Sequence, residues 1–466
     1  MLRPIDDTIA AVSTPVGEGG IGIVRLSGNG AVEIADRIFA SKRGGKAAGF
    51  KSHTVHYGHI VARDKKTGDK VIDEILLTVM RAPRTYTKED IVEINCHGGL
   101  QATKKVLDLV IANGARLAEP GEFTKRAFLN GRLDLSQAEA VLDTIKAKTE
   151  CSLMAALNQL EGGLSKKVND LIDKLADITA DIEASIDFPD EDIEPRDKVK
   201  LSEEAAFVLN GIKDLIDSYG KGVVAREGVL AIICGKPNVG KSSLMNLLLK
   251  RDRVIVSPIP GTTRDAVEEM IDVGGLPVRL VDTAGIGAVR DLLGKKSADK
   301  TRSYMDLADI ALLMVDGSRK IDARDREIFR LLKGKKKLVI VNKSDLGNKI
   351  SGPELNKLSG GSKILEVSVK NNTNIALIEK NIVLLVWGGS FCQSESPMVA
   401  SARHKESLDK AYKCVLSVVR ALKKGSHPEL AAVDLKEAAF DLGLITGKSV
   451  SGDILNRIFE KFCVGK

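Results

Sequence analysis

Apolar and polar positions follow two rhythms along this chain, and the changes of rhythm divide it. In residues 1–130 short apolar runs such as "IGIVRLSG" and "VIDEILLTVM" read as strands, while "ATKKVLDLVIANG" spaces its apolar residues as a helix does and stops at Gly114. That stretch reads as mixed α/β. From 131 to 222 the pattern is helical: "LSQAEAVLDTIKAKTECSLMAALNQLEGG" keeps a three-to-four residue apolar period and ends in two glycines. Residues 223–385 alternate β-rich runs with helices, which predicts a parallel sheet. After Trp387 the pattern is helical again, from "SARHKESLDKAYKCVLSVVRALKK" to the end. Two helical blocks, 131–222 and 386–466, flank the second α/β block, so that block is expected to be inserted into one all-α domain.

Composition narrows the class only a little. A chain of 466 residues with 43% hydrophobic and 29% charged residues can build several cores, about three by length. The net charge of +7 permits a nucleic-acid partner without demanding one. The six cysteines form no C-x-x-C pair, which argues against a zinc knuckle and a disulfide framework and for a reducing cytoplasm. "MLRPIDDTIA" has two acids before any apolar run, and no stretch reaches the roughly 18 apolar residues of a membrane span. A cytoplasmic protein with no membrane partner is expected.

The strongest chemical signal is "VLAIICGKPNVGKSS". An apolar strand runs into Gly235, four residues, then Gly240, Lys241 and Ser242, and on into the apolar helix "LMNLLL". Glycines let backbone N–H groups close around phosphates, Lys241 reaches their outer oxygens, and Ser242 is a magnesium ligand. Asn238, Val239 and Ser243 belong to the same loop. "RLVDTAG" follows, with Asp282 at a strand end where a carboxylate holds magnesium through water, and with Thr283, Ala284 and Gly285 where a switch backbone meets the terminal phosphate. "LVIVNKSD" ends a further strand with Asn342, Lys343 and Asp345. A carboxylate there accepts two N–H bonds from guanine, and adenine has no matching amino group, so GTP is the expected nucleotide. Ser368, Val369 and Lys370 after "KILEV" complete the set.

Two other glycine motifs fail on context. "GLITGKS" has only three residues between Gly443 and Gly447, and no strand precedes it. Gly17, Gly19 and Gly22 spell G-x-G-x-x-G but lead into a strand rather than a helix. The segment 401–424 carries seven Lys or Arg residues against two acids and suits nucleic-acid phosphates or, equally, a solvated helix face. The ending "FCVGK" is no prenylation box, because Gly465 and Lys466 occupy positions that need aliphatic or small residues.

The assembly resembles the MnmE (TrmE) tRNA-modification GTPases over its whole length. "DTIAAVSTPVGEGGIGIVRLSG", "YTKEDIVEINCHGG", "PGEFTKRAFLNGRLDLSQAEAV", "EASIDFPDEDI", "PGTTRD" and "FCVGK" carry the resemblance, in that order. It implies an α/β folate-binding-like domain at 1–130 that also dimerises, the all-α domain, and a P-loop (Ras-like) GTPase domain at 223–385. It implies a potassium-activated GTPase that works as a homodimer with a flavin-dependent partner, MnmG (GidA), which carries FAD, in a heterotetramer. Together they would install an aminomethyl-type group at carbon five of the tRNA wobble uridine from a tetrahydrofolate derivative. Potassium would stand where other GTPases use an arginine finger, on Asn238, Ser257, Ile259 and Thr262. Magnesium would sit on Ser242 and Thr263. Arg25, Glu93, Arg132 and Lys466 would hold the folate, with Cys463 as a catalytic residue beside them. Glu93 has its own physical reading, since a pterin ring shares guanine's amino-oxo edge. Surface ion pairs are the plain alternative for Arg25 and Arg132.

One departure touches the chemistry. The family's water-orienting glutamate, twelve residues after the Asp of D-T-A-G, falls here on Gly294, so Asp291 or Asp299 is left to serve, or intrinsic hydrolysis is slower. Two competing functions share these motifs: a GTPase switch for ribosome assembly without modification chemistry, and a folate-dependent one-carbon transferase with a vestigial GTPase domain.

Overall fold

In the computed structural model the described residues are 7–63, 66, 68–187, 198–252, 268–282, 304–388, 397–424 and 428–466. The chain forms two compact units, Met1–Leu142 with Phe440–Lys466, and Asp143–Ala439.

The first unit is built on β1 (Ile9–Val12), β2 (Ile21–Ser27), β3 (Phe39–Ser41), β4 (Thr54–Ala62), β5 (Lys70–Met80), β6 (Ile91–His97) and β7 (Arg116–Leu117), in the order β3-β4-β5-β6-β2-β1-β7. Side chains alternate across a sheet, so one strand presents two surfaces. Val24 and Leu26 of β2, Leu77 of β5, and Val92 and Ile94 of β6 point to one face, where helices Ala31–Ile38 and Leu100–Ala112 cover them. The intervening Arg25 and Glu93 therefore share the other face, and the antiparallel register sets them directly opposite one another. On that face Ile9 and Ala11 pack with Phe123 of the helix Glu122–Leu129. The chain's end belongs to this unit. Phe459 and Phe462 pack with Leu135, Ala138 and Leu142, and Gly121 N–H donates to the Cys463 carbonyl at 3.4 Å. Gly121 has φ +69, and a Cβ there would sit 2.7 Å from the Phe459 carbonyl oxygen, so this close approach requires glycine.

The helical stretch after Leu135 is two helices, Leu135–Lys146 and Glu150–Leu160. Thr149 adopts an extended backbone and its side chain accepts from Ser152 N–H, a cap that starts a new helix within an unbroken apolar period.

The second unit carries β8 (Val229–Cys234), β9 (Glu268–Val273), β10 (Leu276–Asp282), β11 (Ile310–Asp316), β12 (Lys337–Asn342) and β13 (Ile364–Glu366), in the order β13-β12-β11-β8-β10-β9. All pairs are parallel except β9–β10. β8, β11 and β12 are buried at every residue. Ala231, Leu312 and Ile340 feed one core and Ile232, Leu313 and Val341 the other, as strands covered on both faces require. Long helices before and after this sheet lie together: Val399 N–H donates to Ser218 Oγ at 3.1 Å, and Lys405 stands over the Tyr219 ring. Gly222 leaves the room for Val399, whose backbone any Cβ would strike. Cys151 is disulfide-bonded, against the expectation drawn from cysteine spacing, while Cys96, Cys234 and Cys463 are free thiols. Among the described residues no helix is long and apolar enough to cross a membrane.

Candidate functional site

β8 lies at the centre of the second sheet, and the chain leaves it toward β10 on one side and β11 on the other, the point where parallel sheets open a crevice at their carboxyl ends. The loop Gly235–Gly240 fills that position. Gly235 and Gly240 have φ of +148 and +107, which side chains rarely tolerate, and Asn238 is left-handed at +62. This path curls the loop around its own lysine: Lys241, 7% exposed, donates to the carbonyls of Gly235 and Lys236 at 2.9 Å each. Ser242 and Ser243 open the helix Lys241–Asp252, whose N-terminal dipole and N–H groups favour an anion. Lys236 braces the loop from outside, its ammonium 2.8 Å from Asp322 and 2.7 Å from Asp325. Partial burial works against the charge on Lys236, but the two carboxylates win and raise its pKa. The same contact draws Asp322 down to about 2.

At the other end three loops converge on one side chain. Asn342, 4% exposed, donates from Nδ2 to the Val239 carbonyl at 2.8 Å and accepts at Oδ1 from Val369 N–H at 3.0 Å, tying the phosphate loop to the last loop of the sheet. Asp345 accepts from Ser368 Oγ at 2.6 Å, and this bond foremost holds its carboxyl below the usual range. Asn238, Gly240, Ser243, Asn342, Lys343, Asp345, Val369 and Lys370 line a common cavity of about 580 Å³. Asp282 ends β10 in register with Ile233 of β8, one strand from the loop. Ser257, Ile259, Thr262, Thr263, Thr283, Ala284, Gly285, Asp291, Gly294 and Asp299 lie outside the described residues.

In the first unit Arg25 and Glu93 meet as an ion pair. Nε and Nη2 of Arg25 both reach Glu93 Oε1, at 2.8 and 2.7 Å. The Arg25 guanidinium also lies 5.8 Å from the Phe123 ring centre. Arg132 covers the Tyr86 ring at 4.7 Å and donates to the Tyr86 carbonyl at 3.2 Å. Burial raises the Tyr86 pKa although the hydroxyl it shares with Thr124 and the nearby Arg132 and Arg25 charges oppose the shift. Cys463 is exposed and Lys466 is half-buried, and the Gly465 carbonyl between them accepts from Ser13 Oγ at 3.2 Å. Beneath this group lies a charge network. Arg126, 1% exposed, bonds Asp7 at 2.5 Å, Glu122 at 3.1 Å and Glu89 at 3.2 Å. Glu89 in turn accepts from Ser27 Oγ, so Arg126 ties the helix Glu122–Leu129 to the loop that carries Tyr86.

Sequence reasoning missed Asn246, Leu247, Lys250 and Leu346 of the cavity, as well as Asp316, Tyr86, Phe123 and Arg126. Asp316 carried a usable signal, since it ends the apolar run "IALLMVD" as Asp282 ends its own. Tyr86, Phe123 and Arg126 sit inside the motifs that carry the resemblance, but nothing local marks which of those residues face the site.

Residues 135–463 match the family model described as the MnmE helical domain, and residues 8–132 match that of the GTP-binding protein TrmE N-terminus. The tRNA modification GTPase MnmE of Carboxydothermus hydrogenoformans is 46% identical over 466 residues, 99% of this chain and 100% of that one. Its namesake from Thermoanaerobacter pseudethanolicus is 48% identical over 460 residues, 99% of each. Among solved structures, Aquifex aeolicus Era bound to GDP.AlF4- aligns with 40% of this chain and 65% of that one at 28% identity and a TM-score of 0.28, too low to add to the fold described above.

Proposed function

Because the chain belongs to the MnmE family of tRNA modification GTPases, we propose that it hydrolyses GTP in tRNA modification, as a potassium-activated enzyme working with a flavoprotein partner. The observation that carries the reading is Asn342, which joins the phosphate loop and the last loop of the sheet around the cavity that Asp345 enters. Lys241 brings charge to the phosphates, and Asp345, kept ionised, accepts from the two N–H groups of guanine. Ser242 and Asp282 are hard oxygen donors suited to magnesium, and the Asn238 side chain, at the cavity wall, suits potassium. When bound, these cations offset the charge that develops on the phosphates during transfer.

For the modification chemistry, we propose that a tetrahydrofolate derivative binds against Arg25, Glu93, Arg132 and Lys466, near Cys463. Glu93 would accept from a pterin amino group while Arg25 fixes the carboxylate's orientation, with the Phe123 and Tyr86 rings close by. Homodimer formation, assembly with MnmG and aminomethyl transfer to wobble uridine belong to the same reading. A ribosome-assembly switch would leave the Arg25–Glu93 group without a use.

Steady-state GTP hydrolysis in potassium chloride and, at equal ionic strength, in sodium chloride tests the reading. A rate at least about tenfold higher in potassium is expected. Equal near-zero rates, with the flavoprotein and tRNA also present, would overturn it.

A further inference from the structure

Lys343 takes a left-handed backbone at φ +67, a conformation that a long side chain adopts only when its surroundings hold it there. This turn redirects the chain from β12 so that Asp345 comes back beside Ser368. Three contacts hold it. Ser344 N–H donates to the Val367 carbonyl at 3.1 Å, and Gly317 N–H donates to the Asn342 carbonyl at 2.8 Å. The third is ionic: Lys343 Nζ lies 2.7 Å from Asp316 Oδ2.

Asp316 is 8% exposed and both of its oxygens are engaged. Oδ1 accepts from Ser318 N–H at 3.0 Å and from Ser318 Oγ at 2.6 Å, which fixes the carboxylate plane, while Oδ2 takes Lys343 and stands 3.9 Å from the exposed Arg319. Asp316 is also the β11 partner of Asn342 in the sheet register. A rigid strand end thus presents a fixed anion to the one lysine whose strained backbone shapes the base-reading turn. Asp316 lies outside the cavity lining, whereas Lys343 and Asp345 are part of it.

We propose that Asp316 is a positioning residue for guanine recognition: through its ion pair with Lys343 it holds the turn that aims Asp345, and so sets base selectivity rather than turnover. The inference rests on the guanine-nucleotide reading above. Removing the carboxylate frees Lys343 to relax, and the contact that suffers is the one Asp345 makes to the guanine amino group, which hypoxanthine lacks. A purely structural loss would weaken both nucleotides alike.

The test is fluorescence titration of the full chain with labelled GDP, competed by GDP and IDP, together with hydrolysis at saturating GTP in potassium. Asp316→Asn is expected to weaken GDP about tenfold, to narrow the preference for GDP over IDP by a similar factor, and to leave kcat within about twofold. Asp316→Glu, which retains the charge, should recover most of the preference. In a Lys343→Met background Asp316→Asn should add less than about twofold. If Asp316→Asn does not fold by circular dichroism, Lys343→Met, which leaves the Ser318 turn intact, must itself lose the preference. Unchanged selectivity in these variants, or a fall in kcat with affinity kept, would overturn the role of Asp316 alone. A wild-type chain that binds no GDP would instead overturn the guanine reading.

Discussion

The Asn342–Asp345 cavity of the second unit and the Arg25–Glu93 face of the first reach polar order by different routes. In the cavity the functional groups sit on loops at the carboxyl ends of buried strands, and much of their hydrogen bonding runs to backbone: Asn342 to Val239 and Val369, Lys241 to Gly235 and Lys236. Around the sheet face more of the bonding runs side chain to side chain, Arg25 with Glu93, and Arg126 with Asp7, Glu89 and Glu122, beside backbone bonds from Arg126 to the Asp7 carbonyl and from Glu119 N–H to Glu122. Backbone partners are supplied by any sequence that keeps the loop's path, so a short motif suffices. Side-chain partners come from distant segments and fail together when one is changed.

The sharpest test of that contrast is Arg126→Met. It removes the buried cation from Glu89 and from Glu122, which keeps Arg116 at 2.6 Å, and a loss of about 3 kcal/mol in the stability of the first unit is expected. Thermal or urea unfolding reads it. Affinity for GDP should be unchanged, and a loss there would break the separation of the two regions. The network also predicts a pH dependence. Burial alone would raise the carboxyls of Asp7 and Glu122, but hydrogen bonds from Arg116 and Arg126 hold both below their ordinary 3.8 and 4.5. A carboxylate depressed in the folded chain stabilises it fully above those ordinary values and loses this as pH falls through the folded ones. Wild-type stability should therefore drop on acidification below about pH 4.5, and Arg126→Met should drop less steeply.

Next in size is Asp345→Asn, which replaces an acceptor-only group by one that presents an amide to the guanine N–H pair. GDP affinity should fall about 100-fold or more, with the fold and its unfolding midpoint kept. Binding unchanged by titration would remove Asp345 from the recognition scheme. The smallest effect concerns Gly294→Glu, which restores the acid the family carries. Turnover in potassium should rise by about tenfold or less, with GDP affinity unchanged. No gain would mean that this chain orients its water by other groups.

Several elements are legible in the amino-acid sequence alone. The strands β2 and β5, the helix Leu100–Ala112 and the loop Gly235–Gly240 between β8 and its helix follow from apolar period and from glycine placement. The break at Thr149 is not legible there, because a capping residue is decisive only once the helix before it has been forced to stop. Cys151 shows the same limit, since pairing of cysteines depends on which segments meet rather than on their spacing.

What the sequence determined by itself is the local character of each segment: a loop that curls because its glycines permit the path, a strand end that offers the two acceptors of Asp345, and a membership that whole motifs declare. What only the tertiary structure decided is which groups face each other. Arg25 meets Glu93 through strand register, Arg126 gathers acids from positions 7, 89 and 122, and the chain's end lies against Gly121 and Ser13. Most of those meetings join residues far apart in the chain, and the free energy that fixes them comes from cores such as those that pack β2 against β6 and Phe459 against Leu135, which no local window of sequence contains.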